Sequence, residues 1–142
     1  MPPAGLIDTG ALLALLDRDD EWHIPCLQAY KRARLPLLTT EAVLTEIFHL
    51  AQRNLRDSKG VWTLLRSGAI VISPISHVEL PSIQALMGNY ADRPMDFADA
   101  TLVHLAGRES LSLILTVDHD DFETYRIGGR KRFNILPRRR AP

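Results

Sequence analysis

Leu6-Ile7-Asp8-Thr9-Gly10-Ala11-Leu12 reads as a buried strand that ends on a carboxylate and turns at once into a helix. The strand runs from Ala4 to Asp8, and the helix from about Gly10 to Leu16. A carboxylate beside an apolar run loses hydration with nothing in return. Three more acids stand in the same predicament: Glu46 in Leu44-Thr45-Glu46-Ile47, Asp99 in Asp96-Phe97-Ala98-Asp99-Ala100, and Asp118 in Leu115-Thr116-Val117-Asp118. One such group is readily explained as a cap or an ion pair. Four at points that can converge suggest a divalent-cation site.

Outward from that first unit, strand and helix signals alternate to the end of the chain. A charged turn at 17–21 leads to a helix over about Pro25 to Arg34, with proline acceptable in the first turn. Pro36 to Thr39 is a brief strand, and Thr40 caps a helix from Glu41 to about Asn54, in which Val43, Ile47, Leu50 and Ala51 recur at helical spacing. Asp57 or Ser58 caps the next helix, through Leu65, and Gly68 ends it. Ala69 to Ser73 is β-branched and apolar, as a buried strand should be. A helix from Val78 to Tyr90 carries Pro81 in its first turn, and another runs from about Asp96 to Ala106 with Gly107 at its end. Leu113 to Val117 is a strand, 118–125 a short helix or turn, and Phe133 to Leu136 the last strand. Strands separated by helices require a parallel sheet covered on both faces, hence an α/β fold. In such sheets ligands bind beyond the carboxyl ends of the strands, where both Asp8 and Asp118 fall.

The chain has 142 residues, 46% of them hydrophobic, which suits one domain over 1–142 with a sizeable core and a basic tail from about 137. Its lone cysteine, Cys26, allows no internal disulfide and reads as a small core residue in a reducing, cytoplasmic setting. No basic segment precedes the first strand, so no signal peptide is expected. The longest purely apolar run, Ala11 to Leu16, is too short for a bilayer, and no membrane association is expected. The 17 basic and 17 acidic residues cancel, yet they are segregated, and every charge from Arg126 onward is basic. Lys31, Arg32 and Arg34 form one further knot, and Arg53, Arg56 and Lys59 another. Acidic pockets beside basic stretches suit an enzyme that holds metal in a cleft and an anionic polymer around it, although solvated helix faces would look the same.

The acids allow more than one reading when taken singly. Asp8 before Thr9-Gly10 could cap its helix, and Glu46 could be a solvated helical residue. Asp96 fits an N-terminal cap, whereas Asp99, one turn in among apolar neighbours, does not. Asp118 and Asp121 repeat that three-residue spacing after a strand. As a set they offer oxygen donors only, the preference of Mg²⁺ or Mn²⁺, and without a cation they would repel and raise one another's pKa. Thr9 and Thr116 are hydroxyl neighbours able to orient a carboxylate. Other chemistries lack their motifs: there is no HExxH, GxGxxG, P-loop or GxSxG, and Gly10 stands where an Asp-x-Asp nucleophile pair needs its second acid. The five histidines show no paired spacing, and most look like surface or helix-face residues.

The segments 6–12, 40–50, 95–100 and 115–122, taken in order, closely resemble a PIN domain, most of all the bacterial VapC-type toxins of toxin–antitoxin pairs. The resemblance covers essentially the whole chain. It implies a three-layer fold with a mostly parallel sheet of about five strands flanked by helices, and a metal-dependent endoribonuclease. It also implies RNA as substrate, a small antitoxin as partner, and a homodimer. Carried over by position, Asp8, Glu46, Asp99 and Asp118 match the family's catalytic and metal-binding quartet, with Asp96 and Asp121 as accessory candidates. Arg130, Lys131 and Arg132 are candidate contacts to RNA phosphates, with Arg138, Arg139 and Arg140 a second cluster. Two rivals stay open: an RNA-binding module of the same fold without turnover, and a related metal-dependent DNA nuclease.

Overall fold

A computed structural model describes residues 2–139. Their elements follow the expected alternation: β1 (Gly5–Ile7), α1 (Thr9–Leu16), α2 (His23–Arg32), β2 (Leu37–Thr39), α3 (Glu41–Asn54), α4 (Lys59–Ser67) and β3 (Ile70–Ile72). A 3-10 turn at His77–Glu79 leads into α5 (Leu80–Asn89), followed by α6 (Phe97–Glu109), β4 (Leu113–Leu115), α7 (His119–Thr124) and β5 (Asn134–Leu136). The five strands form one parallel sheet in the order β3-β2-β1-β4-β5.

Successive strand residues face opposite sides of a sheet. Leu6 and Ile7, Leu37 and Leu38, and Ile114 and Leu115 are all buried, so the three inner strands are covered on both faces. This is why the strands read as unbroken apolar runs. The outer strands are less protected: Val71 of β3 and Asn134 of β5 are exposed.

From β1 the chain steps outward to β2 and β3, then returns across to β4 and β5. With right-handed crossovers the two sets of connections lie on opposite faces. They part between β1 and β4, and the crevice left at the carboxyl ends of those strands is the place for a ligand. Two glycines allow close approach along this seam, Gly5 at the amino ends of β1 and β4 and Gly10 at the crevice itself. A Cβ on Gly5 would sit 2.8 Å from the Leu113 carbonyl oxygen, and one on Gly10 would sit 2.8 Å from Cγ2 of Val117. Glycine at these positions lets β1 and the first turn of α1 close against β4 and the segment after it.

Most expected boundaries hold. The Thr40 hydroxyl accepts from the Val43 amide at 3.4 Å, and Gly68 ends α4 at φ +78°. At the start of α4 the side-chain bond comes from Asp57, which accepts from the Lys59 amide at 3.0 Å; Ser58 makes none. One boundary is corrected. Gly107 does not end α6, which continues through Glu109 to Ser110 at φ 57°. Ser110 takes the left-handed turn, and the Leu111 amide then donates to the Ala106 carbonyl at 2.9 Å, so the last turn closes without a glycine. Cys26 is fully buried, and burial pushes its thiol up to about 12. No helix among the described residues is long and apolar enough to cross a membrane.

Candidate metal centre

Asp8 follows β1 in extended conformation and serves as the cap of α1. Its Oδ1 accepts from the Thr9 amide at 2.7 Å, and its Oδ2 accepts from the Thr116 hydroxyl at 3.0 Å. Thr116, just past β4, in turn accepts from the Asp118 amide at 3.0 Å. One buried hydroxyl therefore ties the ends of the two central strands to each other. The Thr9 hydroxyl donates to Oε1 of Glu46 on α3 at 2.7 Å. Each threonine hydroxyl thus donates to a carboxylate that lines the cleft.

On α6 the two acids divide their work. Asp96 is the cap, its Oδ1 accepting from the Asp99 amide at 2.7 Å. Asp99, 6% exposed, is freed from that duty and accepts at Oδ2 from the Tyr125 hydroxyl at 2.9 Å. Tyr125 is fully buried and its ring meets Tyr90 and Phe122 edge-on. Asp118 holds the cap position of α7 without a capping hydrogen bond from its side chain.

Asp8, Thr9, Gly10, Glu46, His49, Leu50, Asp96, Asp99, Val117 and Asp118 line one cleft of about 450 Å³. All four acids of the expected quartet thus meet at the carboxyl edge. The tightest set of donor atoms differs from the quartet. One carboxylate oxygen each from Asp99, Asp118 and Asp121 lie within 4.8 Å of one another, while Asp8 and Glu46 line the cleft together with Asp99 and Asp118.

Electrostatics agrees with the geometry. Burial raises Asp8 to about 7, against the opposing hydrogen bonds from Thr9 and Thr116, with the charges of Asp118 and Glu46 adding to the rise. Asp99 rises to about 8, first through burial and then through the charges of Asp8, Asp96 and Asp118. Asp118 rises to about 6 through burial and a hydrogen bond shared with Asp121. Each acid disfavours ionisation of the next, a conflict that a bound cation removes.

Several contributors were hidden from sequence reasoning. Tyr125 carries no local mark of its partner 26 residues away. His49 lines the cleft three residues after Glu46, a helical spacing that could have flagged it. Arg93 donates from Nε to Asp121 Oδ1 at 3.0 Å. His119 departs from the surface reading of the histidines: it is buried, bonded to the Pro137 carbonyl at 2.8 Å and packed against Trp22.

The basic clusters separate. Arg130, Lys131 and Arg132 precede β5 and therefore lie toward the amino edge of the parallel sheet, opposite the acids. Arg139 follows β5 on the acidic edge and pairs with Asp120 and Glu123 of α7. Arg140 lies outside the described residues.

Comparison with known proteins agrees with this architecture. The family model described as PIN domain matches residues 5–127. Ribonuclease VapC26 of Mycobacterium tuberculosis is 28% identical over 134 residues, covering 93% of this chain and 99% of that protein. The crystal structure of VapC20 from Mycobacterium tuberculosis, described as a sarcin-ricin loop cleaving toxin, superposes with a TM-score of 0.75 at 17% identity, covering 82% of this chain and 92% of that one.

Proposed function

Because this chain belongs to the PIN domain family, we propose that it is a divalent-metal-dependent endoribonuclease, the toxin of a toxin–antitoxin pair. The observation that carries the reading is the meeting of Asp99, Asp118 and Asp121 within 4.8 Å, two of them lining a cleft with Asp8 and Glu46. The near full-length similarity to a ribonuclease of the VapC group supports it.

The donors are carboxylate oxygens, so the fitting ion is hard: Mg²⁺ or Mn²⁺. Asp99 and Asp118, with Asp8 and Asp121 beside them, would hold it. When bound, such an ion polarises a phosphoryl oxygen and lowers the pKa of a water. The protein's own part is to keep the acids in place. Thr116 and the Thr9 amide fix both oxygens of Asp8, and Tyr125 fixes one oxygen of Asp99. Glu46, held by Thr9, can take the proton released by an attacking water.

RNA contacts by Arg130, Lys131 and Arg132 would fall at the far edge of the sheet, on RNA remote from the bond cut. An apolar face formed by Val78, Leu80, Met87 and Phe97, with Val78 82% exposed, suits a second copy in a homodimer. The groove along Lys59, Trp62 and Arg66, with Trp62 half exposed, suits an apolar segment of an antitoxin. Such a toxin would act in the cytoplasm.

Matched RNA and DNA oligonucleotides, incubated with Mn²⁺ and separately with chelator, test the chemistry. RNA alone should be cut, only with metal, and Asp99→Asn should not cut it. Induced by itself the protein should arrest growth, and Asp8→Asn should not. Cutting that persists in chelator would refute the metal-dependent reading.

A further inference from the structure

Six carboxylates crowd this edge of the sheet, those of Asp8, Glu46, Asp96, Asp99, Asp118 and Asp121. An RNA phosphate is itself an anion, and one divalent ion leaves most of that negative charge uncancelled. Among the described residues, the cation hydrogen-bonded into this set is Arg93. Its Nε donates to Asp121 Oδ1 at 3.0 Å and its Nη1 to the Thr124 hydroxyl at 3.2 Å. Both anchors belong to the α7 segment that begins at Asp118. The third nitrogen, Nη2, makes no hydrogen bond among the described residues, and the side chain is 46% exposed.

A guanidinium is planar with donors on fixed edges, so anchoring two nitrogens sets the direction of the third. The backbone beneath is also pinned. The Arg93 amide donates to the Tyr90 carbonyl at 3.1 Å, and the Tyr90 hydroxyl accepts from the Arg126 amide at 2.9 Å. As a surface ion pair alone, Arg93–Asp121 would contribute little to stability. Its place matters more: Asp121 is one of the three acids whose oxygens converge, so the free edge of the guanidinium stands one carboxylate away from the proposed ion.

We infer that Arg93 is a catalytic residue that binds the phosphate being cleaved, donating from Nη2 to a non-bridging oxygen and stabilising the charge that develops there. The inference rests on the ribonuclease reading above.

The test compares wild type, Arg93→Gln and Arg93→Lys. Two quantities are measured: single-turnover cleavage of one RNA at saturating Mn²⁺, and the rise in melting temperature that Mn²⁺ produces without RNA. Losing one donor aimed at developing charge costs about 100-fold or more in rate, so Arg93→Gln should cleave about 100-fold more slowly. Arg93→Lys, which keeps the charge and loses the fork, should fall between. The Mn²⁺-induced rise should be equal or larger in Arg93→Gln, because a positive charge beside the acids has been removed. If instead the variant loses the Mn²⁺-induced rise and added Mn²⁺ restores its rate, Arg93 only orients Asp121 and the inference is overturned. Unchanged cleavage overturns it too. Should Arg93→Gln melt far below wild type without metal, the decision passes to Arg93→Lys, for which a wild-type rate refutes the role of the fork. Wild type that cuts no RNA with Mn²⁺ removes the ribonuclease reading itself, an outcome distinct from the others.

Discussion

Burial of the cleft's acids should cost the metal-free protein stability at neutral pH, and Asp99→Asn tests the effect. Asp99 rises to about 8 and Asp8 to about 7 in the folded chain, while both titrate near 3.8 when unfolded. A carboxyl raised in this way is protonated in the fold and ionised in the unfolded chain across the interval between those values. The folded state then binds more protons, so stability is greatest below the unfolded pKa and is lost as pH rises through the folded one. Each group contributes about 1.4 kcal/mol per pH unit within that interval. Between pH 5 and 7 the pair should therefore remove about 4 to 5 kcal/mol in chelator, a large part of the roughly 5–15 kcal/mol of a typical domain. Asp99→Asn keeps an acceptor for the Tyr125 hydroxyl and deletes one titration, so its loss over the same range should be about half. It should also be the more stable protein at pH 8. Denaturant midpoints in EDTA from pH 5 to 8.5 measure both curves. Wild-type stability that stays flat or rises from pH 5 to 7 would refute the argument.

Saturating Mg²⁺ or Mn²⁺ should raise the melting temperature of the wild type most at the alkaline end, where the acids are ionised, and hardly at all in Asp99→Asn; thermal melts against pH decide. Thr116→Val removes the donor to Asp8 and strands the Asp118 amide, which should cost about 1–3 kcal/mol and weaken the Mn²⁺-induced rise; an unaltered rise would show that this hydroxyl does not organise the site. Gly10→Ala pushes a Cβ to 2.8 Å from Val117, so the crevice should open and metal affinity fall with little change in metal-free melting. Neutralising Arg130, Lys131 and Arg132 to Gln should flatten the salt dependence of RNA affinity by about one unit of slope per lost phosphate contact and leave the cut site in place; an unchanged slope assigns the cluster to solvent.

What the sequence made legible is what depends on neighbours along the chain. The inner strands announced themselves because both of their faces are buried, so that Leu6-Ile7 and Ile114-Leu115 carry no alternation. The acids announced themselves because a parallel sheet places every strand's carboxyl end on one edge. The partners of those acids stayed hidden where they come from across the fold without a local mark: Tyr125 onto Asp99 and Arg93 onto Asp121. The end of α6 was misread for a related reason. A left-handed residue can be Ser110 when the following amide has a carbonyl waiting, and glycine is only the easiest way to reach that turn.

The choice between cap and ligand, which the sequence poses for each acid separately, dissolves when the two oxygens of a carboxylate are followed individually. Asp8 gives Oδ1 to the first amide of α1 and Oδ2 to Thr116, and still lines the cleft. Capping is what fixes it there, since a side chain bonded to its own helix cannot rotate away when the site is vacant. Asp96 and Asp99 solve the same problem by division. The first caps α6 and spares the second, which projects one turn further in, buried and held from behind by a tyrosine. Asp118 uses a third way: its capping position is left unused by its side chain, while its amide is anchored to the hydroxyl that holds Asp8. The amide-to-carboxylate bonds that begin α1 and α6, with the Asp118 amide held by the Thr116 hydroxyl, are thus the scaffold of the acidic cluster. Substitutions that weaken those helix starts should reach the metal site before they reach the core.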